Sequence, residues 1–215
     1  MRARLIVLAA LLCAVPATGS DIDLTQAQVD ALTVVDAPPS REDIDLAFSS
    51  SPSPNPGLDA LLALAVDTSQ DLGLQIRAIR ALPQYCLPTG CAGSPVHDKL
   101  VVIVGDFRDQ LGRGPLSPKD LLRLRAAMEA LGATRSGLQD DVDLLTAQVL
   151  LQHPSRDVQV TVVHALQSLC SPDLCPHDAC VQDANAVRAL RTGTDTQVDA
   201  AINRALAELA RCAQP

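Results

Sequence analysis

Apolar residues recur at helical spacing along most of this chain, and four segments share one register. They read Leu74-Gln-Ile-Arg-Ala-Ile-Arg-Ala-Leu-Pro83, Arg123-Leu-Arg-Ala-Ala-Met-Glu-Ala-Leu-Gly132, Val158-Gln-Val-Thr-Val-Val-His-Ala-Leu-Gln167 and Val198-Asp-Ala-Ala-Ile-Asn-Arg-Ala-Leu-Ala207. The alanines of the Ala-Leu pairs, Ala81, Ala130, Ala165 and Ala205, are spaced by 49, 35 and 40 residues. Steps of that size belong to paired-helix repeats, so the pattern predicts an all-α chain whose pairs stack as an α-solenoid of about four units.

Each unit divides into an outer and an inner helix. The outer helices are expected over 58–68, 97–111, 138–152 and 178–191, and the inner ones over 71–85, 117–132, 155–169 and 195–211. In the third outer helix, Val142, Leu144, Leu145, Val149 and Leu150 mark one packed face. Gly112-Arg-Gly-Pro115 and Pro154 separate outer from inner helices, while Gly132 and Gly137 bracket the second turn. Asp71, Ser117, Ser155 and Thr194 or Thr196 stand where inner helices need caps. Upstream, residues 21–34 have the pattern of a short amphipathic helix, and Ser40-Arg-Glu-Asp43 opens another that reaches Phe48. Ser49-Ser-Ser-Pro-Ser-Pro-Asn-Pro-Gly57 is too rich in Pro and Ser for regular structure and is expected as a linker or exposed loop.

Composition narrows the function. Phe48, Phe107 and Tyr85 are the only aromatics and Trp is absent, so Leu, Val and Ala must fill the core. The formal net charge of −8 gives little attraction for phosphate backbones and argues against nucleic-acid binding. Arg outnumbers Lys 15 to 2, the bias of a GC-rich genome. Met1-Arg-Ala-Arg4, the apolar run Leu5–Val15 and the small residues after Pro16 form a secretory signal, too short in its apolar part to span a bilayer. Cleavage fits after Ala17 or after Gly19. The chain then reads as a signal peptide at 1–19, an N-terminal helical segment and linker at 20–57, and a repeat domain at 58–215. Cys13 offers a lipid-anchor alternative, but Leu12 stands where a lipobox wants a small residue. The expected location is extracytoplasmic, in a periplasm or the medium.

Six cysteines remain beyond Cys13, an even number suited to an oxidising compartment. Cys86 and Cys170 each follow an Ala-Leu marker alanine by five residues, and each is followed five residues later by another cysteine. The spacing favours staples Cys86–Cys91 and Cys170–Cys175, leaving Cys180 and Cys212 to close the last helical pair. Other pairings remain open, since six cysteines can pair in fifteen ways. A metal reading of Cys170, Cys175, His177 and Cys180 lacks the usual Cys-x2-Cys spacing.

The inner-helix register, the polar residue before each inner helix and the repeat length resemble the HEAT-repeat family over residues 58–212. The fit is weakest in the second unit, where Arg123 holds the leading apolar position. The resemblance implies a scaffold or adaptor with inner helices lining a protein-binding face. On that analogy one row of contact residues is Arg80, Glu129, His164 and Arg204, and a neighbouring row is Gln75, Leu124, Gln159 and Asp199. No nucleophile elbow, phosphate loop or zinc-hydrolase motif is present, and no cofactor or resident metal is expected. Gln139-Asp-Asp-Val-Asp143 lacks calcium-loop spacing, and its carboxylates suit a helix start, as does His97-Asp98. The expected function is therefore protein binding without catalysis. The alternatives are a structural envelope accessory, lipid-anchored at Cys13, or a metal-binding or enzymatic accessory.

Overall fold

The computed structural model describes residues 23–33, 39–86, 91–169, 184–189, 193 and 195–212, apart from the side chains of Glu208, Arg211 and Cys212. Among these residues all regular structure is helical. The expected signal segment with Cys13, and the cysteines Cys170, Cys175 and Cys180, lie outside the described residues.

Two short helices come first, α1 (Gln26–Leu32) and α2 (Arg41–Ala47). Thr25 and Gln28 form a reciprocal capping box, and Ser40 accepts from the Asp43 amide. Helices of seven residues need tertiary support. Leu32, Ile44 and Phe48 supply it by entering the same core as the later helices. Tyr85 also donates to Asp45 Oδ1 at 2.7 Å, and Arg41 lies 5.1 Å from the Tyr85 ring centroid. Gly57 packs so closely beneath this contact that a Cβ there would collide with the Tyr85 hydroxyl and Asp45. Residues 49–55 are irregular, as their Pro and Ser content requires, yet the chain on both sides is docked.

The remaining elements are α3 (Pro56–Leu64), α4 (Leu72–Ala81) with a 3-10 turn (Leu82–Tyr85), α5 (Pro95–Leu111), α6 (Pro118–Ala133), α7 (Gln139–Leu145), α8 (Gln148–Leu151), α9 (Arg156–Leu169), α10 at 184–189 and α11 (Thr196–Cys212). Proline sits in the first turn of α3, α5 and α6, where its missing N–H costs no hydrogen bond. Asp71, Ser94 and Ser117 cap α4, α5 and α6 through their side chains. Asp195 caps α11, with Thr196 already inside the helix and Thr194 outside the described residues: its Oδ1 accepts from the amides of Gln197 and Val198 at 2.9 and 3.2 Å. A carboxylate there satisfies two orphan donors and opposes the positive helix end.

The third outer helix is broken, contrary to the single element expected over 138–152. Thr146 turns its hydroxyl back to the Val142 carbonyl at 2.7 Å, and Ala147 leaves the helical region with ψ 133°. Leu144 and Leu145 before the break and Leu150 after it are all buried.

Inner helices follow one another in space as in sequence. α4 packs on α6, α6 on α9 and α9 on α11, while α3 covers α4, α5 covers α6, and α7 and α8 cover α9. Ala81, Ala130, Ala165 and Ala205 are all buried, so each Ala-Leu pair points its small residue into a packed face. Gly132 does not break a helix, as its place in a turn signal implied. It lies inside α6, where a Cβ would stand 2.6 Å from the Ala165 carbonyl oxygen and 2.7 Å from the Ala165 Cα. The chain turns just beyond, through Arg135 (φ 51°) and Gly137 (φ 63°).

Candidate functional site

Arg80 and Glu129, two members of the expected contact row, are paired with each other. The Arg80 guanidinium bridges α4 to α6 with Nη2 at 2.6 Å and Nε at 2.9 Å from Glu129 Oε2. His164 and Arg204 are exposed on α9 and α11. Similar bridges join the next helices. Arg125 reaches Asp157 at 3.0 Å, and Arg156 reaches Asp195 at 2.6 Å. The Arg156 hydrogen bond holds the Asp195 carboxyl below the ordinary carboxylate range. Exposed ion pairs add little stability each. They fall at successive junctions between the inner helices.

Two members of the neighbouring row point into the core. Gln75 and Leu124 are buried, and Gln159 and Asp199 are half-buried. Gln75 Nε2 donates to the Gln70 carbonyl at 2.6 Å and Gln159 Nε2 to the His153 carbonyl at 3.0 Å. Gln75, Gln159 and Asp199 stand four residues after Asp71, Ser155 and Asp195. From there the two glutamines reach back and satisfy carbonyls of the loop that precedes each helix.

Cys86 and Cys91 lie at disulfide distance, with Cα atoms 4.9 Å apart. Cys91 is buried, and its amide donates to the Thr134 carbonyl at 3.0 Å, tying the end of the first unit to the end of α6. Cys212 ends α11, and its side chain lies outside the described residues, as do the other expected staple partners.

A buried polar cluster sits beside this contact. His97 Nε2 donates to Asp141 at 2.9 and 3.1 Å, and Ser136 Oγ donates to the same carboxyl. His97 is 7% and Asp141 1% exposed. The carboxyl is the hub and takes both bonds, and the cluster clamps α5 to the start of α7. Sequence reasoning treated these residues as separate helix-start features. Nothing local links positions 44 residues apart.

Clefts open along the edge where outer helices turn into inner ones. One of about 460 Å³ is walled by Leu111, Pro115, Val149 and Pro154 with His153 at its side. A second of about 340 Å³ holds Asp106, Asp120 and Arg123 against Val66, Ile103 and Phe107. A third of about 280 Å³ lies between them, sharing Gln110 and Asp120 with the second and Gly114 and Pro115 with the first. The three therefore form a continuous track. Among the described residues, no group of three or more His, Cys, Asp or Glu is gathered as for a metal ion. No helix there is long and apolar enough to cross a membrane.

His153 gives this edge a pH dependence. Burial pushes its imidazole below the ordinary 6.5, and Nδ1 accepts the Ser155 amide at 3.0 Å, which requires that nitrogen unprotonated. The unfolded chain takes up the proton first as pH falls below about 6.5, so this contribution is complete above that value and is lost on acidification toward the depressed folded value. His153→Gln is expected to flatten the dependence of melting temperature on pH between about 5 and 7. An unchanged slope would show that His153 is not its source.

Comparison with protein-family models, curated proteins and solved structures finds no match for this chain.

Proposed function

We propose that this chain is an exported, HEAT-like α-solenoid that binds another protein and performs no chemistry itself. The observation that carries the reading is the serial packing of α4, α6, α9 and α11, each on the next, with outer helices covering the first three in turn. Stacked repeats build extended surfaces in this way, and a recurring buried alanine at each inner helix is what close stacking requires. The Cys86–Cys91 pair suits an oxidising compartment. The expected contact row is partly taken up by the Arg80–Glu129 bridge. The docking surface is therefore placed on the corner track, whose apolar walls and scattered polar groups fit a polypeptide segment.

Site-specific photo-crosslinking in the native host tests this. A crosslinker at Gln110 or Gln152, both exposed on the track, is expected to trap one dominant protein. The same group at Ala133 or Ser168, exposed toward the far ends of α6 and α9, is expected not to. Equal capture from both sets, or none from either, would contradict the proposal. This chain, recovered from the host, should also start after Ala17 or Gly19; a retained signal segment would contradict export.

A further inference from the structure

A closed circuit of contacts runs from Cys91 through the starts of α5 and α7 and back by the end of α6. The Cys91 amide donates to the Thr134 carbonyl at 3.0 Å, and the Cys91 carbonyl accepts the Ser94 amide at 3.0 Å. Ser94 Oγ, the cap of α5, accepts the His97 amide at 3.2 Å. His97 Nε2 donates to Asp141 at 2.9 Å, and Ser136 Oγ donates to the same carboxyl. Ser136 lies two residues beyond Thr134, across Arg135 with its φ of 51°, and returns the path to its start. Cys91, Thr134, His97 and Asp141 are all buried. Among buried groups each lost bond leaves a desolvated partner, so the members hold or fail together.

A covalent bond enters this circuit from outside. Cys86 follows the 3-10 turn after α4 and lies at disulfide distance from Cys91, five positions on. A loop that short constrains the unfolded chain less than a long one, so the bond is a weak staple for the fold at large. Its effect is local, because it tethers a residue bonded both to the start of α5 and to the end of α6. Cys86 is half-buried and is the more accessible of the two.

We propose that the Cys86–Cys91 pair is a dithiol-sensitive latch on the junction of α5 with α7. A thiolate of the dithiol attacks Cys86 Sγ, the S–S bond breaks, and Cys91 Sγ leaves as a thiolate that takes up a proton. The second thiol of the reagent then displaces Cys86 Sγ, which is protonated in turn. The dithiol ends as a cyclic disulfide and the protein is reduced by two electrons. Without the tether Cys91 lets go of Thr134, and the circuit opens at the His97–Asp141 clamp. α7, which packs on α5 and α9, is loosened, while the contact of α9 with α11 is not. The inference depends neither on the docking surface nor on export, since the circuit lies within one chain.

Hydrogen exchange read by mass spectrometry tests it on the protein purified without reductant, before and after treatment with dithiothreitol. Peptides spanning 91–100 and 136–146 are expected to exchange at least about tenfold faster after reduction. The double variant Cys86→Ser with Cys91→Ser leaves the other cysteines untouched. It should reproduce that acceleration, with 196–206 changing by less than about twofold. In His97→Ala, whose clamp is already open, reduction should accelerate 136–146 by less than about twofold. Unchanged exchange at 136–146 in the double variant would overturn the proposal. Equal acceleration at 196–206 in that variant would overturn it too, by showing that the bond serves the whole fold. So would alkylation of Cys86 and Cys91 in the unreduced protein, because no bond would then exist to break.

Discussion

Replacing Gly132 by alanine is expected to lower the melting temperature by about 6–10 °C, from a loss of about 2–3 kcal/mol in a domain of this size. Glycine inside a helix normally costs stability, and alanine restores about 1 kcal/mol. At Gly132 the sign reverses, because the added methyl meets the backbone of Ala165 and not a movable side chain. A backbone clash is relieved only by moving α6 away from α9, which opens the central junction of the helix row. Gly105 in α5 is the internal control. A Cβ there meets nothing within 4 Å, so Gly105→Ala should raise stability by about 0.5–1 kcal/mol. Paired thermal melts read both effects. Equal stabilisation by the two substitutions would show that α6 and α9 do not meet backbone to backbone.

His97→Ala is expected to cost about 3 kcal/mol, the second large effect. It removes the main hydrogen-bond donor to a carboxyl that is 1% exposed and leaves Asp141 with Ser136 alone. Most of the cost is the desolvated group left behind, so the loss should not be additive. Adding Asp141→Ala to His97→Ala should cost at least about 1 kcal/mol less than the sum of the single changes. Denaturant unfolding of the four proteins measures the coupling. Strict additivity would show that the two side chains do not share a buried bond.

The inner helices were legible because each repeats an apolar register ending in Ala-Leu, and a small residue at a fixed place in successive helices signals close packing. Caps at Asp71 and Ser117 were legible for a local reason: the hydroxyl or carboxylate and the amides it serves lie within three residues. What sequence reasoning missed is non-local. Arg80 meets Glu129 across 49 residues and His97 meets Asp141 across 44, and periodicity identifies an apolar face without saying which helix covers it. Gly132 looked like a turn residue because glycine serves both turns and close approaches, and only the position of Ala165 separates the two. Gln75 and Gln159, expected in a contact row, show the same limit. Polar residues were read as solvent-facing, whereas the two glutamines turn inward to satisfy carbonyls of the loop that precedes each helix. Arg123 did carry a signal, as the one charged residue at a leading apolar position. In the structure its guanidinium lies 3.5 Å from Asp120, one turn earlier on the same helix.

The central claim is that the inner helices form an open row and not a closed bundle. Electron–electron distance measurements test it most directly, using genetically encoded spin labels that avoid the native cysteines. Labels at Arg80, His164 and Arg204 sit at one register position on α4, α9 and α11. With neighbouring axes 8–10 Å apart, the row predicts about 20 Å from 80 to 164 and about 30 Å from 80 to 204. Both distances near about 15 Å or less would mean that α4 and α11 close on each other, and would contradict the stacked scaffold.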